Sequence, residues 1–120
     1  MDKVNVAEKL ALIHDHWNPR IVADLNGQQV KLVKFRGAFA WHKHDREDEL
    51  FMVVKGRFRI ELRDRAIELG AGELFVVPRG VEHRPVAEDE VEVMLFEPAT
   101  TVNTGDLQGD PRTRTELQRI

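Results

Sequence analysis

The stretch that decides the fold is "WHKHDREDELFMVVKG", residues 41–56. It places two of the chain's five histidines one residue apart, followed by the polar turn "DRED", Glu49 and an apolar run. Alternate residues of a strand face the same side, so His42 and His44 are predicted to point one way and Lys43 the other. A chain reversal at the turn would bring Glu49 beside both imidazoles. The stretch therefore predicts strands that surround a cluster of metal-binding side chains.

On both sides of this stretch the sequence favours further strands. The run "RFRIELRD" alternates apolar and charged residues, and Asn26-Gly27 joins two β-rich runs with a strong hairpin signal. Three more β-like runs, "AIEL", "ELFVVP" and "EVEVMLFEP", are separated by glycine, proline and acidic residues. No crossover helix separates the strands, which predicts an all-β sandwich or small barrel. The turn "PRG" is followed by His83, which is a fourth candidate ligand for the cluster.

The chain ends differ from this pattern. The first segment has apolar residues at helical spacings of four, three and four, which predicts one amphipathic helix within residues 1–18. The residues of this stripe are Val6, Leu10, Ile13 and Trp17. Residues 20–98 are assigned to the barrel, and 99–120 to a tail that lies over the surface or on a partner. Residues 1–120 thus form a single domain.

Composition excludes several classes of protein. The chain is 42% hydrophobic and 32% charged, as in ordinary globular proteins, and it has neither a membrane-length apolar run nor the apolar start of a signal peptide. It has no cysteine, so any metal must bind through histidine and carboxylate side chains. The net charge of −3 argues against a nucleic-acid partner. We expect a cytoplasmic protein with neither a nucleic-acid nor a membrane partner.

A second His-x-His pair occurs at His14 and His16, on the predicted helix. Residues two apart on a helix diverge by about 200°, so this pair is not expected to share an ion. The acidic residues of the polar turn are expected to be solvated rather than catalytic. They are Asp45, Glu47 and Asp48.

Two segments resemble the sequence motifs of the cupin superfamily. The first motif has a glycine, His-x-His, a glutamate and a second glycine, and here it spans 37–56 with His42, His44, Glu49 and Gly56 in place. The second motif is matched in order by Gly72, Pro78, Gly80 and His83. Two departures occur. Four residues rather than five separate Gly37 from His42, and Ala87 stands where the motif ends in asparagine.

The resemblance to small single-domain cupins of the cupin 2 conserved-barrel type implies a double-stranded β-helix, which is a jelly-roll-like barrel, with one N-terminal helix. It also implies that His42, His44, Glu49 and His83 bind a metal. Three imidazoles and one carboxylate suit a divalent transition metal such as iron, manganese, nickel, copper, cobalt or zinc, and offer too few oxygens to favour calcium. The implied partner is a small-molecule substrate or ligand.

Three functions are compatible with these features. The first is a metal-dependent enzyme, either an oxygenase, an isomerase or a lyase, that acts on an oxygen-rich metabolite chelated to the ion. The second is a non-catalytic module that binds metal or a small ligand. The third is a sugar-phosphate isomerase similar to mannose-6-phosphate isomerase, which would need inward-facing basic residues among Lys31, Lys34 and Arg84. No second catalytic group is evident in the sequence, because there is no tyrosine, and Arg57 and Arg59 alternate away from the apolar face.

The apolar run "LFMVV", Leu50–Val54, lacks the alternation expected of a strand with one wet face. Both faces of this strand are therefore predicted to be buried. The outer face is expected to be covered by the N-terminal helix, by the facing sheet or by a second subunit, and Trp41, which is predicted to face outward, is a candidate for the same contact. We expect a homodimer.

Overall fold

The computed structural model describes all 120 residues and has an all-β fold with one short helix, as predicted. The helix α1 is Val6–Leu10, and the strands are β1 (Arg20–Leu25), β2 (Gln28–Ala38), β3 (Glu49–Lys55), β4 (Arg57–Leu62), β5 (Ala66–Gly70), β6 (Leu74–Val77) and β7 (His83–Pro98). No helix has the length and apolar character that crossing a bilayer requires. The hairpin predicted at Asn26-Gly27 joins β1 to β2, and both turn residues have positive φ angles of 49° and 78°.

The long strand β7 pairs with three other strands, β2, β3 and β4. All strand pairs are antiparallel, in the order β1-β2-β7-β3-β6, and β4 pairs with both β5 and β7. The C-terminal half of β7 pairs with β2 and β3, whereas its first residues pair with β4. His83, the first residue of β7, pairs with Leu62 of β4 and also forms a bridge with His42.

The core consists of inward-facing residues at alternate positions along the strands. Phe51 pairs with Leu95 and Val33 pairs with Val93, so these side chains share one face of the sheet. All four are at most 4% exposed. Burial of such apolar side chains is the main favourable contribution to folding, and it fixes which face of each strand lines the barrel.

The predicted N-terminal helix is too long. α1 ends at Leu10, the amides of Leu12 and Ile13 make only tight-turn bonds to Lys9 and Leu10, and the chain then hydrogen-bonds to β2. Nζ of Lys34 donates to the carbonyl of Ile13 at 2.8 Å, and the Trp17 amide donates to the Lys34 carbonyl at 2.9 Å. Trp17 has a φ of 61°, which turns the chain off the helical path. Leu10 and Ile13 are nevertheless buried against β2, so the apolar spacing identified the docking residues but not their backbone conformation.

The prediction that both faces of Leu50–Val54 are buried is only partly met within one chain. Phe51 and Val53 are buried in the core, and Val54 packs on the small cluster formed with the N-terminal segment. Leu50 and Met52 remain half-exposed. On the neighbouring strand β6, Leu74 and Val76 are 55% and 42% exposed.

Candidate metal site

The four side chains predicted to bind metal lie together inside the barrel. His42 and His83 form an isolated β-bridge, in which each backbone amide donates to the other residue's carbonyl, at 3.1 Å and 2.9 Å. Glu49 opens β3, and all four side chains, including His44, are buried. One potential ligand atom from each residue lies within 4.8 Å of the other three. The expected convergence therefore occurs, although His42 and His44 lie in an irregular segment rather than on a regular strand.

Two turns hold this segment in place. The Gly80 amide donates to the His44 carbonyl at 2.7 Å, and the Arg79 amide donates to Oδ1 of Asp48 at 2.8 Å. These contacts join the polar turn before β3 to the turn before β7. Asp48, expected to be only solvated, therefore also anchors a backbone turn. Glu47 accepts a hydrogen bond from Thr100 at the surface.

Backbone carbonyls fix the orientation of two imidazoles. Nδ1 of His42 lies 2.8 Å from the carbonyl of Ala40, and Nδ1 of His83 lies 2.9 Å from that of Val81. Because a carbonyl only accepts hydrogen bonds, each Nδ1 carries the proton and leaves Nε2 with a free lone pair. This is the arrangement by which proteins orient histidines that bind metals.

The unpartnered atoms of the cluster fit a cation. Oε1 of Glu49 lies 3.3 Å from Nε2 of both His44 and His83. All three atoms are buried, and none makes a hydrogen bond. Buried polar atoms without partners cost free energy. A divalent transition ion held by one carboxylate and three imidazoles would satisfy them, so the residues present fit the metal that the motif implies.

The environment shifts the pKa values of the cluster in different directions. Burial, together with the nearby His83, lowers the pKa of His42 to about 4. Burial also opposes protonation of His44, but the adjacent Glu49 carboxylate outweighs it and raises the His44 pKa. Burial raises the pKa of Glu49, yet its contacts with His44 and His83 dominate and hold this pKa well below the usual range. The site therefore favours an ionised Glu49 and a neutral His42.

A small cavity of about 30 Å³ adjoins the cluster. Its walls are mainly apolar and aromatic, and its polar lining comes from four residues: His42, Glu49, Glu97 and Asn103. Burial, followed by the charge of Glu49, raises the pKa of Glu97 well above its usual value, against the opposing effect of Lys31. Glu97 was not among the site residues predicted from the sequence. The signal was present in "EVEVMLFEP", where Glu97 falls in the same alternating register as the apolar residues Val91, Val93 and Leu95.

The three basic residues considered for phosphate binding are all engaged elsewhere. Lys31 faces inward but its Nζ lies 2.7 Å from Oε1 of Glu97. Lys34 contacts the N-terminal segment, and Arg84 pairs with Glu61 at 2.6 Å. No lysine or arginine lines the cavity.

The remaining candidates lie away from the cluster. His14 is exposed, and Nε2 of His16 lies 3.5 Å from a carboxylate oxygen of Glu90 at the surface. Trp41 is half-buried beneath Arg63, whose guanidinium carbon is 3.9 Å from the ring centroid. Trp41 therefore contacts an arginine and belongs to neither of the two apolar clusters of the core. Trp17 does reach the cavity, where it stacks on Phe35 at 4.5 Å.

The C-terminal tail lies on the chain's own barrel, which is the first of the two expected locations. The Lys43 amide donates to Oδ1 of Asp106 at 2.9 Å, and the Asp106 amide donates to the Lys43 carbonyl at 3.0 Å. Gly105 passes so close that a Cβ atom there would lie 2.2 Å from the Lys43 carbonyl oxygen and 3.1 Å from the His42 ring. The tail thus supports the segment that carries His42 and His44.

Comparisons with known proteins support the resemblance to cupins that the two sequence motifs indicate. A protein of Shewanella frigidimarina NCIMB 400 that contains a cupin-2 domain is 46% identical, with a TM-score of 0.78 over 79% of this chain and 93% of that one. Protein NMB1881 from Neisseria meningitidis is 32% identical, with a TM-score of 0.75 over 82% of this chain and 100% of that one. The uncharacterized protein YdbB of Bacillus subtilis (strain 168) is 34% identical over 64 residues, which are 52% of this chain and only 57% of the relative.

The family described as "Cupin domain" matches residues 28–100, which include both motifs and all four clustered side chains. Because the match spans more than half of the 120 residues and the barrel has the corresponding strands, the chain belongs to the cupin family.

Proposed function

We propose that this cupin is a metal-dependent enzyme, an oxygenase, isomerase or lyase, that acts on a small oxygen-bearing metabolite. His42, His44, Glu49 and His83 would hold the ion. The observation that carries the proposal is the convergence of Nε2 of His44, Nε2 of His83 and Oε1 of Glu49, three buried atoms without hydrogen-bond partners. Iron, manganese, nickel, copper, cobalt and zinc all suit this donor set.

The residues around the four side chains would orient the imidazoles and shape the cavity for a ligand. When bound, such an ion supplies Lewis acidity, and a redox-active ion also supplies oxidation chemistry. The carbonyls of Ala40 and Val81 orient two of the imidazoles, and the aromatic walls of the cavity exclude water. The half-buried residues Trp17 and Asn103 line the end of the cavity through which a ligand would enter.

A non-catalytic module that binds metal or a small ligand is the second candidate. It is favoured by one observation: apart from the ligand cluster, only Glu97 brings an ionisable side chain to the cavity. The sugar-phosphate isomerase alternative has weaker support, because no lysine or arginine lines the cavity to bind a phosphate.

Two measurements distinguish the metal-dependent enzyme from the non-catalytic module. They are the metal content of the protein and its turnover of candidate substrates. Protein purified without added metal is subjected to elemental analysis, and the loaded protein is screened with small hydroxy and keto acids for oxygen uptake and product formation. We expect close to one transition ion per chain and turnover of at least one compound. Iron with oxygen uptake would select the oxygenase. Binding without turnover would favour the non-catalytic module, and absence of any metal would contradict the proposal.

We also propose that the protein is a homodimer that buries the outer strip of β3 and β6, defined as Leu50, Met52, Leu74 and Val76. Leu50 pairs with Val76 and Met52 with Leu74, so the four side chains share one face of the sheet. β6 is the last strand of the sheet order, so unpaired backbone groups lie beside this strip. A second copy could cover the same strip by two-fold symmetry.

Light scattering tests the dimer. At micromolar concentration we expect twice the 13.8 kDa mass of the chain, and Leu74→Asp should reduce this to the monomer mass. Leu12→Asp is the matched control, because Leu12 is also exposed, at 59%, but lies outside the strip. A monomeric wild-type protein would contradict the proposal.

A further inference from the structure

The polar end of the barrel interior contains an ion pair that the proposed metal site does not use. Nζ of Lys31 lies 2.7 Å from Oε1 of Glu97, and both side chains are 2% exposed. Lys31 pairs in register with Leu95, a core residue two positions before Glu97. The pair therefore continues the inward face that is apolar elsewhere along β2 and β7.

Stability alone does not account for this pair. Removing two charges from water costs several kcal/mol per ion, and apolar residues of similar volume often give equal or greater stability. In addition, Oε2 of Glu97 is buried without any hydrogen-bond partner. Glu97 lines the same cavity as Glu49 and His42. A buried oxygen without a partner, beside a cavity, is suited to receive a polar atom of a ligand.

We propose that Glu97, held by Lys31, is a ligand-recognition residue that hydrogen-bonds a hydroxyl group of a small hydroxycarboxylate. This inference rests on the proposed function, because the carboxylate of the same ligand is directed to the ion held by the His42, His44, Glu49 and His83 cluster. A ligand with a carboxylate at one end and a hydroxyl group at the other could bind the ion and also donate a hydrogen bond to the unpartnered oxygen of Glu97.

The size of the cavity limits the ligand further. At about 30 Å³ it is small, which favours a short hydroxycarboxylate over a sugar phosphate.

The test compares glycolate, which has the hydroxyl group, with acetate, which lacks it. Both are titrated into zinc-loaded protein carrying Trp41→Phe, so that the fluorescence reports on Trp17, which lines the cavity. The double variant Lys31→Leu/Glu97→Leu removes the pair without changing the net charge or leaving Lys31 unpaired. We expect it to bind glycolate about tenfold more weakly, the loss expected for one buried hydrogen bond, and acetate within about threefold of the parent.

A second double variant, Asp24→Leu/Arg119→Leu, is the matched control because it removes an exposed ion pair elsewhere. It should change neither titration. Unchanged glycolate affinity in Lys31→Leu/Glu97→Leu, with zinc still bound, would overturn the role of Glu97 and leave the metal site intact. A parent protein that takes up no zinc would overturn the proposed function and this inference with it. Zinc content is therefore measured in every sample.

Discussion

The molecule contains two His-x-His pairs with very different environments. His42 and His44 lie between β2 and β3, are each 4% exposed, and face Glu49 and His83. In the N-terminal segment His14 is exposed, and His16 contacts only a surface carboxylate. The same spacing therefore yields a buried cluster in one region and solvated side chains in the other.

The difference lies in what surrounds each pair. The segment with His42 and His44 is bonded to the turn before β7 on one side and to Asp106 of the tail on the other. These contacts fix the backbone that carries both imidazoles, and the Ala40 carbonyl also orients the His42 ring. The N-terminal segment is fixed by apolar packing and by Lys34, and those contacts bury other side chains instead. Backbone support and burial, more than spacing, distinguish the buried pair of histidines from the exposed one.

The largest expected effect tests whether the N-terminal segment contributes packing instead of ligands. Trp17 stacks on Phe35 and Phe39, at centroid distances of 4.5 Å and 4.8 Å. Trp17→Ala should lower the free energy of unfolding by about 3 kcal/mol or more, the usual cost of truncating a packed aromatic side chain. Urea denaturation measures this cost, with His14→Ala as the control. A loss below roughly 0.5 kcal/mol would mean that the tryptophan is not packed.

The next effect tests the support of the ligand segment by the tail. A side chain at Gly105 would approach the Lys43 carbonyl oxygen to 2.2 Å, at a φ of 57°. Gly105→Ala should cost about 3 kcal/mol, from steric overlap together with the left-handed backbone. Gly109→Ala is the matched control, since Gly109 has a φ of 75° but no atom within 4 Å of the position that a Cβ would occupy. Equal losses in the two variants would show that the contact with Lys43 is unimportant.

The third prediction addresses the ligands directly. His44→Ala removes one of the three imidazoles, and metal occupancy should fall about tenfold or more. Occupancy is measured by elemental analysis after dialysis against a fixed concentration of free metal. His14→Ala should retain the occupancy of the wild type. If both variants retain it, His44 is not a ligand.

The pH dependence of metal binding tests whether imidazoles hold the ion. An imidazole must be neutral to coordinate, so protons compete with the ion. The Glu49 carboxylate raises the His44 pKa, whereas burial lowers the pKa of His42 to about 4, so His44 takes up a proton at a higher pH than His42 does. Occupancy should therefore be lost as the pH falls toward about 5. Full occupancy at pH 5 would argue against a histidine site.

The sequence predicted the class of fold and the members of the cluster, because both depend on local patterns. Strand alternation and the positions of Gly56, Pro78 and Gly80 are visible in the sequence itself. The end of α1 was missed because Lys34, distant in sequence, bonds the backbone that would have continued the helix. The contact of Gly105 with Lys43 was missed for the same reason. Long-range hydrogen bonds and close approaches leave no periodic signal.

The smallest expected effect concerns His16, which belongs to the pair in the N-terminal segment. His16 and Glu90 are 33% and 44% exposed and lie 3.5 Å apart, so solvent screens their interaction. His16→Ala should change the free energy of unfolding by no more than about 0.5 kcal/mol and leave metal occupancy unchanged. Denaturation and elemental analysis of the same preparation measure both quantities. If His16→Ala lost its metal while His42→Ala, His44→Ala and His83→Ala all kept theirs, the ion would bind in the N-terminal region. The barrel interior would then be a pocket for a small ligand alone.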